Sequence, residues 1–189
     1  MRGDSSADQD LGLTGRFAPS PTGPLHMGSL VTALASYCDI KQRGGRWYLR
    51  IDDIDPVRTD PRAIADITRT LHVHGLIPDA DLRQQSHFVP RYERALQQLI
   101  EHCFYCRCSR SELQGHKLYP GYCRAIRERT SNRAVRIRVD PQRRSFIDAL
   151  KGNHDYVRAD DFGDCVIWRK DDLVTYHLAT ACDDAMDYS

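Results

Sequence analysis

A chain of 189 residues with 41% apolar and 28% charged side chains is long enough to bury a core and has the composition of a globular protein. It contains no apolar run long enough to span a membrane, and its polar first twelve residues do not resemble a signal peptide, so we expect no membrane partner and a cytoplasmic location. The net charge of +1 hides a basic block at 101–150, with 11 basic and 5 acidic residues, and an acidic block at 151–189, with 4 and 9. The basic block is compatible with a nucleic-acid surface, although a solvated surface explains it equally well.

The first half of the chain alternates between strand and helix patterns. Residues 1–13 predict a disordered tail because they are polar and without periodicity. The elements predicted after it are, in order, a strand that ends at Pro19, a helix from Gly28 to Gly44, a strand over 46–51, a helix from Pro61 to Gly75 with Asp60 as its N-cap, and a helix over 90–102. This alternation predicts a parallel sheet with right-handed crossovers over 14–102, an α/β nucleotide-binding half.

The second half has a different pattern. Residues 103–132 are rich in Cys, Arg and Gly and have no clean period, whereas 133–139 alternates like a strand with Arg on one face. Residues 165–179 predict a β-hairpin with Asp171 and Asp172 in its turn. We therefore expect a metal-bearing insertion over 103–164 and the start of a return to the sheet over 165–189.

Three of the seven cysteines, Cys106, Cys108 and Cys123, lie within 18 residues of one another. Thiolates in a turn-rich segment favour zinc, which needs four tetrahedral ligands, and residue type alone suggests His116 as the fourth. A closed site of this kind would be structural; three free thiols in a small loop domain are the alternative. The remaining cysteines stand in apolar contexts that predict buried thiols: Cys38, Cys103, Cys165 and Cys182.

The loop "RFAPSPTGPLHMGSL" (16–30) connects the first predicted strand to the first helix. A helix N-terminus in this place binds anions in α/β sheets, and His26 could donate a hydrogen bond to a phosphate while Gly28 allows a close approach. Neither the P-loop nor the dinucleotide fingerprint is present. An ordinary proline-rich turn with an exposed histidine remains the alternative.

This loop resembles the first signature of the class I glutamyl-type aminoacyl-tRNA synthetases, and "GGRWYLRIDDIDPVR" resembles the strand and loop that follow it in that family. "LHMGSLVTALASYCD" and "DIDPVR" are more similar to the glutamyl-Q tRNA(Asp) branch than to ordinary glutamyl-tRNA synthetases, and the resemblance continues to "YHLATACDDA". It implies a Rossmann-like parallel sheet, of which this is the first half, with a zinc-bearing inserted domain. It also implies a monomeric ligase that forms glutamyl-adenylate from glutamate and ATP, with Mg²⁺, and transfers glutamate to queuosine in the anticodon of tRNA(Asp).

The resemblance also assigns roles to individual residues. It implies that glutamate is bound by Arg16, Phe17, Ala18, Pro19, Ser20, Asp52 and Tyr176. It implies that ATP is bound by Pro19, His26, Gly28 and Ser29, with His26 and Gly28 as the catalytic pair. It makes Tyr119 the fourth zinc ligand beside Cys106, Cys108 and Cys123, with His116 or His102 as substitutes.

Two features depart from the family. Asp52 stands where relatives usually have Glu, and a solvated acidic loop is the expectation for Asp53 and Asp55. The second, Lys-containing ATP loop and a later pocket Arg are not found, so we expect a fragment, a frameshift product or a natural short form. The alternatives to the glutamyl-Q function are a fragment of an ordinary glutamyl-tRNA synthetase and a non-catalytic zinc-bearing RNA- or protein-binding module.

Overall fold

The computed structural model describes residues 13–187, which divide into two compact units. The first unit contains residues 13–88 and 183–187, and the second contains 89–182. The expected tail, apart from Leu13, lies outside the described residues. The four-part domain organisation expected from the sequence stays a prediction.

The first unit is a parallel sheet with two crossover helices. Its elements are β1 (Thr14–Phe17), α1 (Met27–Gln42), β2 (Arg46–Ile51), α2 (Pro61–Val73) and β3 (Arg83–Gln84), followed by a 3₁₀ turn (Gln85–Phe88). The strand order is β1-β2-β3 and both pairings are parallel, with Thr14 opposite Arg46 and Arg50 opposite Arg83. The predicted parallel sheet is confirmed.

The ends of the two crossover helices follow from local sequence chemistry. Helix α2 begins at Pro61, and the Asp60 carboxylate accepts the Arg62 backbone N–H at 2.9 Å, so the predicted N-cap is confirmed. Helix α1 ends before Gly44, whose φ of 72° lies in the left-handed region that glycine adopts without a Cβ clash. Both helices therefore end close to where the sequence predicts.

The core of the first unit packs α1 and α2 against the sheet. Its buried apolar residues are Phe17, Ala33, Ile40, Trp47, Leu49, Ile51, Ile67, Leu71 and Leu76. Trp47 is fully buried in the central strand, stacks on Phe17 with 6.5 Å between ring centroids, and donates its indole N–H to the Ser36 hydroxyl at 3.0 Å. This packing fixes the carboxyl ends of β1 and β2, where the candidate site begins.

The second unit has two antiparallel sheets. Its elements are α3 (Val89–Leu99), a 3₁₀ turn (Ile100–His102), β4 (Cys103–Cys106), β5 (Ala134–Ile137), β6 (Arg143–Asp148), β7 (Gly152–Val157), α4 (Arg158–Asp161), β8 (Val166–Trp168) and α5 (Tyr176–Asp187), the end of which belongs to the first unit. One sheet has the order β4-β5-β8, and β6 and β7 form a separate hairpin. The helix predicted over 90–102 and the strand predicted over 133–139 are confirmed in type.

The hairpin predicted over 165–179 is wrong in its second arm. Trp168 and Val174 form a single antiparallel bridge, and α5 starts two residues later at Tyr176. The turn is real, with Asp172 at a φ of 61°, but Leu178 and Ala179 are both buried on the helix that follows. Adjacent buried residues fit one face of a helix, whereas on a strand they would point to opposite faces.

Two further differences concern the sequence predictions. Strand β4, which lies in the segment 103–132 that lacks a clean hydrophobic period, and the β6-β7 hairpin were not predicted. Cys38 is exposed on α1, so its predicted burial is wrong, whereas Cys103 is buried as predicted and Cys165 and Cys182 are half-buried. Within residues 13–187, no helix combines the length and the hydropathy of a membrane span.

Candidate active site and metal centre

The N-terminus of α1 is capped by His26. One ring nitrogen accepts the Ser29 backbone N–H at 3.2 Å, and the other lies 3.1 Å from the Ser29 hydroxyl oxygen. A Cβ on Gly28 would lie 3.1 Å from Cε1 of the His26 ring, so glycine leaves the space that the ring occupies. The imidazole and the helix N-terminus are thus presented together at an exposed position.

The proline-rich loop before α1 is tied to both neighbouring elements of the sheet. The Asp52 backbone N–H donates to the Pro19 carbonyl at 3.0 Å, and the Asp60 N–H donates to the Pro21 carbonyl at 2.8 Å. Pro21 is fully buried. The loop is consequently held against the end of β2 and the start of α2.

A buried arginine, Arg50, lies at the centre of an ionic network. Its Nε donates to Asp52 Oδ1 at 2.7 Å, and its NH1 donates to Asp184 Oδ1 at 2.8 Å. Asp183 Oδ2 lies 3.8 Å from the same Nε, and the side chains of Arg50, Asp52 and Asp183 are each 1% exposed. One guanidinium thereby compensates two buried carboxylates and one half-exposed one.

Arg16 joins this network from β1. It makes a bidentate ion pair with Asp184, Nε to Oδ1 at 2.7 Å and NH2 to Oδ2 at 2.6 Å. The hydrogen bonds with Asp184 raise the pKa of Arg16, whereas burial raises the pKa of Asp52 and the Arg50 guanidinium offsets this only in part. Arg16 therefore already holds a carboxylate in the bidentate geometry that an acidic ligand would use.

Asp53, which follows Asp52 in the chain, is buried as well. Asp53 accepts the Ser86 N–H at 2.8 Å and the Ser86 hydroxyl at 2.7 Å, and it is only 7% exposed, so the expected solvated position is wrong. Asp183 accepts the side-chain N–H of Gln85 at 2.8 Å, while Gln85 Oε1 is buried without a hydrogen-bond partner among residues 13–187. Asp55 is half-buried and accepts the Val57 N–H, as in a local turn.

The other residues expected to bind glutamate lie in different environments. The Phe17 side chain is buried in the core, Ala18 and Pro19 are half-buried, and Ser20 is exposed. Tyr176 begins α5 in the second unit and is 55% exposed, so the alternative of a buried tyrosine on a strand is wrong. The roles expected for these residues stay predictions.

Sequence reasoning missed Arg50, Gln85, Asp183 and Asp184. A signal for Arg50 was available, because a strand alternates and so puts Arg50 and Asp52 on the same face, next to the apolar Leu49 and Ile51. The aspartates gave no local signal, since their partners lie more than 90 residues away in the chain.

The three clustered cysteines converge in the second unit. The Sγ atoms of Cys106, Cys108 and Cys123 all lie within 4.8 Å of one another, and those of Cys108 and Cys123 are 3.6 Å apart. A tetrahedral zinc with Zn–S bonds of about 2.3 Å needs sulfurs about 3.8 Å apart. The spacing therefore fits the predicted ion.

Tyr119 lies beside the three cysteines. Its hydroxyl oxygen lies 3.6 Å from Cys106 Sγ and 3.8 Å from Cys108 Sγ, and it accepts the Cys123 backbone N–H at 2.7 Å. Among the described residues, the group of side chains close enough to share a metal ion includes no histidine. The His116 ring nitrogen lies 3.2 Å from the Tyr122 hydroxyl oxygen instead. Geometry thus favours Tyr119 over His116 and His102 as the fourth ligand.

Neighbouring groups affect the charge of this cluster. The Arg136 guanidinium lies 4.0 Å from the centroid of the Tyr119 ring. Burial disfavours the thiolate of Cys123, but hydrogen bonds from Tyr119 and the Arg107 backbone outweigh it and lower the pKa to about 7. The lowered pKa favours the thiolate of Cys123, which is the form that binds zinc, whereas burial raises the pKa of Cys108.

The geometry described above fits a catalytic domain of the class I type. A parallel sheet carries a loop that leads into a helix N-terminus, and a cysteine-rich unit follows it. The chain matches the family of tRNA synthetases class I (E and Q), catalytic domain, over residues 13–188, and it belongs to that family. The predicted class I synthetase catalytic fold with its parallel sheet is confirmed.

Within this family, the chain is similar to proteins named glutamyl-Q tRNA(Asp) synthetase. The chain is 42% identical over 174 residues to a glutamyl-Q tRNA(Asp) synthetase from Acinetobacter baylyi, covering 91% of this chain and 60% of the relative. It is 41% identical over 174 residues to the protein of the same name from Pseudomonas aeruginosa, covering 90% and 59%. The chain therefore spans about 60% of the length of these curated relatives.

Solved structures agree on the fold. A crystal structure of a glutamate tRNA ligase from Elizabethkingia meningosepticum, in complex with its amino acid, matches with a TM-score of 0.79 and 25% identity, covering 92% of this chain and 42% of that one.

Proposed function

We propose that the chain takes part in ATP-dependent activation of glutamate and in its transfer to queuosine in the anticodon of tRNA(Asp). The observation that carries this proposal is that Arg16 and the His26-capped helix N-terminus lie at the two ends of one anchored loop, in a chain that is about 40% identical to glutamyl-Q tRNA(Asp) synthetases. Ordinary glutamyl-tRNA synthesis is less well supported, because the matched glutamate tRNA ligase is only 25% identical.

The first step would join the carboxylate of glutamate to ATP. A carboxylate oxygen attacks the α-phosphorus, the new C–O–P bond forms, and the bond to pyrophosphate breaks. His26, with Gly28, Ser29 and Pro19 around it, would bind the phosphates, because an imidazole N–H and a helix N-terminus both stabilise negative charge. Mg²⁺ would accompany the nucleotide.

Arg16 would bind a glutamate carboxylate, which would displace Asp184 from its ion pair with Arg16. Asp52 would accept the ammonium group at the end of β2, although its side chain now pairs with Arg50 and is 1% exposed. An aspartate is one methylene shorter than the family's glutamate, so the ammonium group must approach closely. Ala18, Ser20 and the backbone of Phe17 would complete the pocket, and the role of Tyr176 in binding glutamate is proposed from the resemblance alone.

Zinc would have a structural role. Cys106, Cys108, Tyr119 and Cys123 would bind it as a closed set of four protein ligands, which leaves no open position for substrate. The support is the donor spacing given above. The cytoplasmic location and the monomeric state expected from the sequence stay predictions.

Glutamate-dependent ATP–pyrophosphate exchange without tRNA tests the activation step, with aspartate as the control amino acid. His26→Asn is the informative variant, because asparagine retains an N-cap acceptor and removes the imidazole. We expect a loss of about 100-fold in exchange for His26→Asn if the imidazole stabilises the transition state. No exchange by the folded, zinc-loaded chain would count against activation by this chain.

Transfer needs its own experiment. Labelled glutamate is offered with tRNA(Asp) that contains queuosine, with tRNA(Asp) that does not, and with tRNA(Glu). The proposal expects label on the first RNA alone. Label on tRNA(Glu) would favour the ordinary glutamyl-tRNA synthetase reaction instead.

A further inference from the structure

The β6-β7 hairpin carries aromatic side chains on one of its faces. In its antiparallel register Arg144 pairs with Tyr156, and Phe146 pairs with His154, so these four side chains share a face. Ser145, Ile147 and Asp155 lie on the opposite face. We call Phe146, His154, Tyr156 and the nearby Phe162 the ring face.

The four rings form a continuous series. Phe146 stacks on His154 with centroids 5.1 Å apart, and Tyr156 contacts Phe146 and Phe162 edge-on at 6.3 and 5.0 Å. Phe146 is 52% exposed and Phe162 is 61% exposed. Exposed phenylalanines in a row are unusual on a protein surface and indicate a binding face.

The charges beside the ring face favour an anionic partner. Arg144 lies on the ring face and Lys151 lies in the turn between β6 and β7, and neither has a carboxylate within ion-pair distance among the described residues. Arg144 donates only to the Gln142 side-chain oxygen, at 2.8 Å. Asp148 lies on the same face at the turn, where its carboxylate accepts the backbone N–H groups of Leu150 and Lys151.

We propose that the ring face binds unpaired RNA bases by stacking, with Arg144 and its neighbouring cations on the phosphates. RNA combines flat aromatic bases with a polyanionic backbone, and aromatic side chains interleaved with cations are how proteins bind single strands. The inference rests on the proposed function, which makes a tRNA loop the substrate, and it names a surface of the chain that would contact that loop. A second copy of the chain is a weaker occupant, because it would bring the same unpaired cations against one another.

Fluorescence anisotropy with a labelled single-stranded RNA of about ten nucleotides tests the surface on the full, zinc-loaded chain. Phe146→Ala removes an exposed ring, Phe146→Leu removes the ring but retains apolar bulk, and Ile147→Ala is the matched control on the opposite face, where Ile147 is 80% exposed. We expect the Kd to rise about 5- to 100-fold for both Phe146 variants and to change less than about twofold for Ile147→Ala. Arg144→Gln should reduce the slope of log Kd against log salt by about 0.7.

Equal binding by wild type and Phe146→Leu would overturn the proposal, as would equal weakening by Ile147→Ala. Self-association that disappears in Phe146→Leu would assign the face to a second copy and would also overturn it. ATP–pyrophosphate exchange is measured without RNA on the same samples. Retained exchange with no RNA binding therefore rejects the surface alone, and RNA binding without exchange rejects the activation step alone.

Discussion

The apolar core of the first unit and the cysteine-rich segment 103–126 of the second are stabilised by different means. The core of the first unit packs nine buried apolar residues around a central strand. The cluster in segment 103–126 has three buried members, Phe104, Cys106 and Cys123. A core of nine buried apolar residues can stabilise a sheet without a metal or disulfides, whereas a core of three generally needs one or the other. The comparison indicates that the first unit folds by burial and that segment 103–126 depends on its proposed metal.

The chain offers one spectroscopic reporter in each unit. Its two tryptophans are Trp47, in the first unit, and Trp168, in the second, and both are buried. Trp168→Phe leaves Trp47 to report on the first unit, and Trp47→Phe leaves Trp168 to report on the second. Each variant below is compared with its own single-tryptophan parent.

Metal removal should have the largest effect. Zinc binding supplies about 10–16 kcal/mol of apparent free energy in small zinc domains. We therefore expect a chelator, or Cys123→Ser, to abolish zinc binding and to remove hydrogen-exchange protection from 103–126 while the Trp47 transition changes little. Zinc content and exchange by mass spectrometry measure this.

Cys38→Ser is the matched control for metal removal, because Cys38 is an exposed cysteine on α1 of the first unit. It should retain the full zinc content. Unchanged protection of 103–126 in the metal-free chain would contradict a folding role for the metal.

Loss of Arg50 should be the next largest effect, and it should fall on the first unit. Arg50→Met leaves Asp52 and Asp183 buried without their shared cation, and breaking a buried ion pair in this way costs about 3–5 kcal/mol. Urea unfolding followed by Trp47 fluorescence measures the free energy of unfolding. The double variant Arg50→Met with Asp52→Asn should recover part of the loss, because one of the stranded charges is gone; a double variant less stable than Arg50→Met would contradict this account.

The regular part of the fold could be predicted from sequence because its signals are local. The Asp60–Pro61 start of α2, the Gly44 end of α1 and the alternation of 46–51 each depend on a few neighbouring residues. Strand β4 could not be predicted in this way, since the segment before β5 is shaped by cysteine spacing and turns rather than by a hydrophobic period. No residue in the two strands of the β6-β7 hairpin is buried, so the hairpin has no alternation of buried and exposed residues to reveal it.

The candidate site was predictable only in part for the same reason. His26, Gly28 and the cysteine cluster lie in short motifs, so their positions follow from the sequence. Asp184 reaches Arg16 across 168 positions, and no local pattern predicts such a pairing.

Replacement of Asp164, in the second unit, should lower the free energy of unfolding by less than the loss of Arg50 does. Its buried carboxylate accepts two hydrogen bonds from Arg124, at 2.5 and 2.7 Å, and the Val139 N–H at 3.0 Å. Removing hydrogen bonds to a charged group costs about 1.5–3 kcal/mol, so Asp164→Asn should lower the free energy of unfolding measured by Trp168 by about that amount at neutral pH.

The pH dependence gives a sharper test of Asp164. Burial opposes ionisation, but Arg124 and the Val139 N–H outweigh it and lower the pKa of Asp164 below its ordinary value. A depressed folded pKa contributes stability that is fully present above the unfolded pKa, about 3.9, and is lost as the pH falls through the folded value. The difference between wild type and Asp164→Asn should therefore be constant between about pH 5 and 7 and should shrink below about pH 4; a difference that grows on acidification would have the wrong sign.

The smallest effect should come from a single hydrogen bond in the apolar core of the first unit. The Trp47 indole N–H donates to the Ser36 hydroxyl at 3.0 Å, and Ser36 in turn donates to the Ala33 carbonyl at 3.0 Å, one turn earlier on α1. Ser36→Ala removes the acceptor and leaves a buried N–H unpaired while alanine favours the helix, so we expect a net loss of about 1 kcal/mol in the Trp47 transition. Ser36→Thr retains a hydroxyl on the same helix and should lose less. If Ser36→Ala cost as much as Arg50→Met, the first unit would depend on its polar contacts and not mainly on apolar burial, and its contrast with segment 103–126 would not hold.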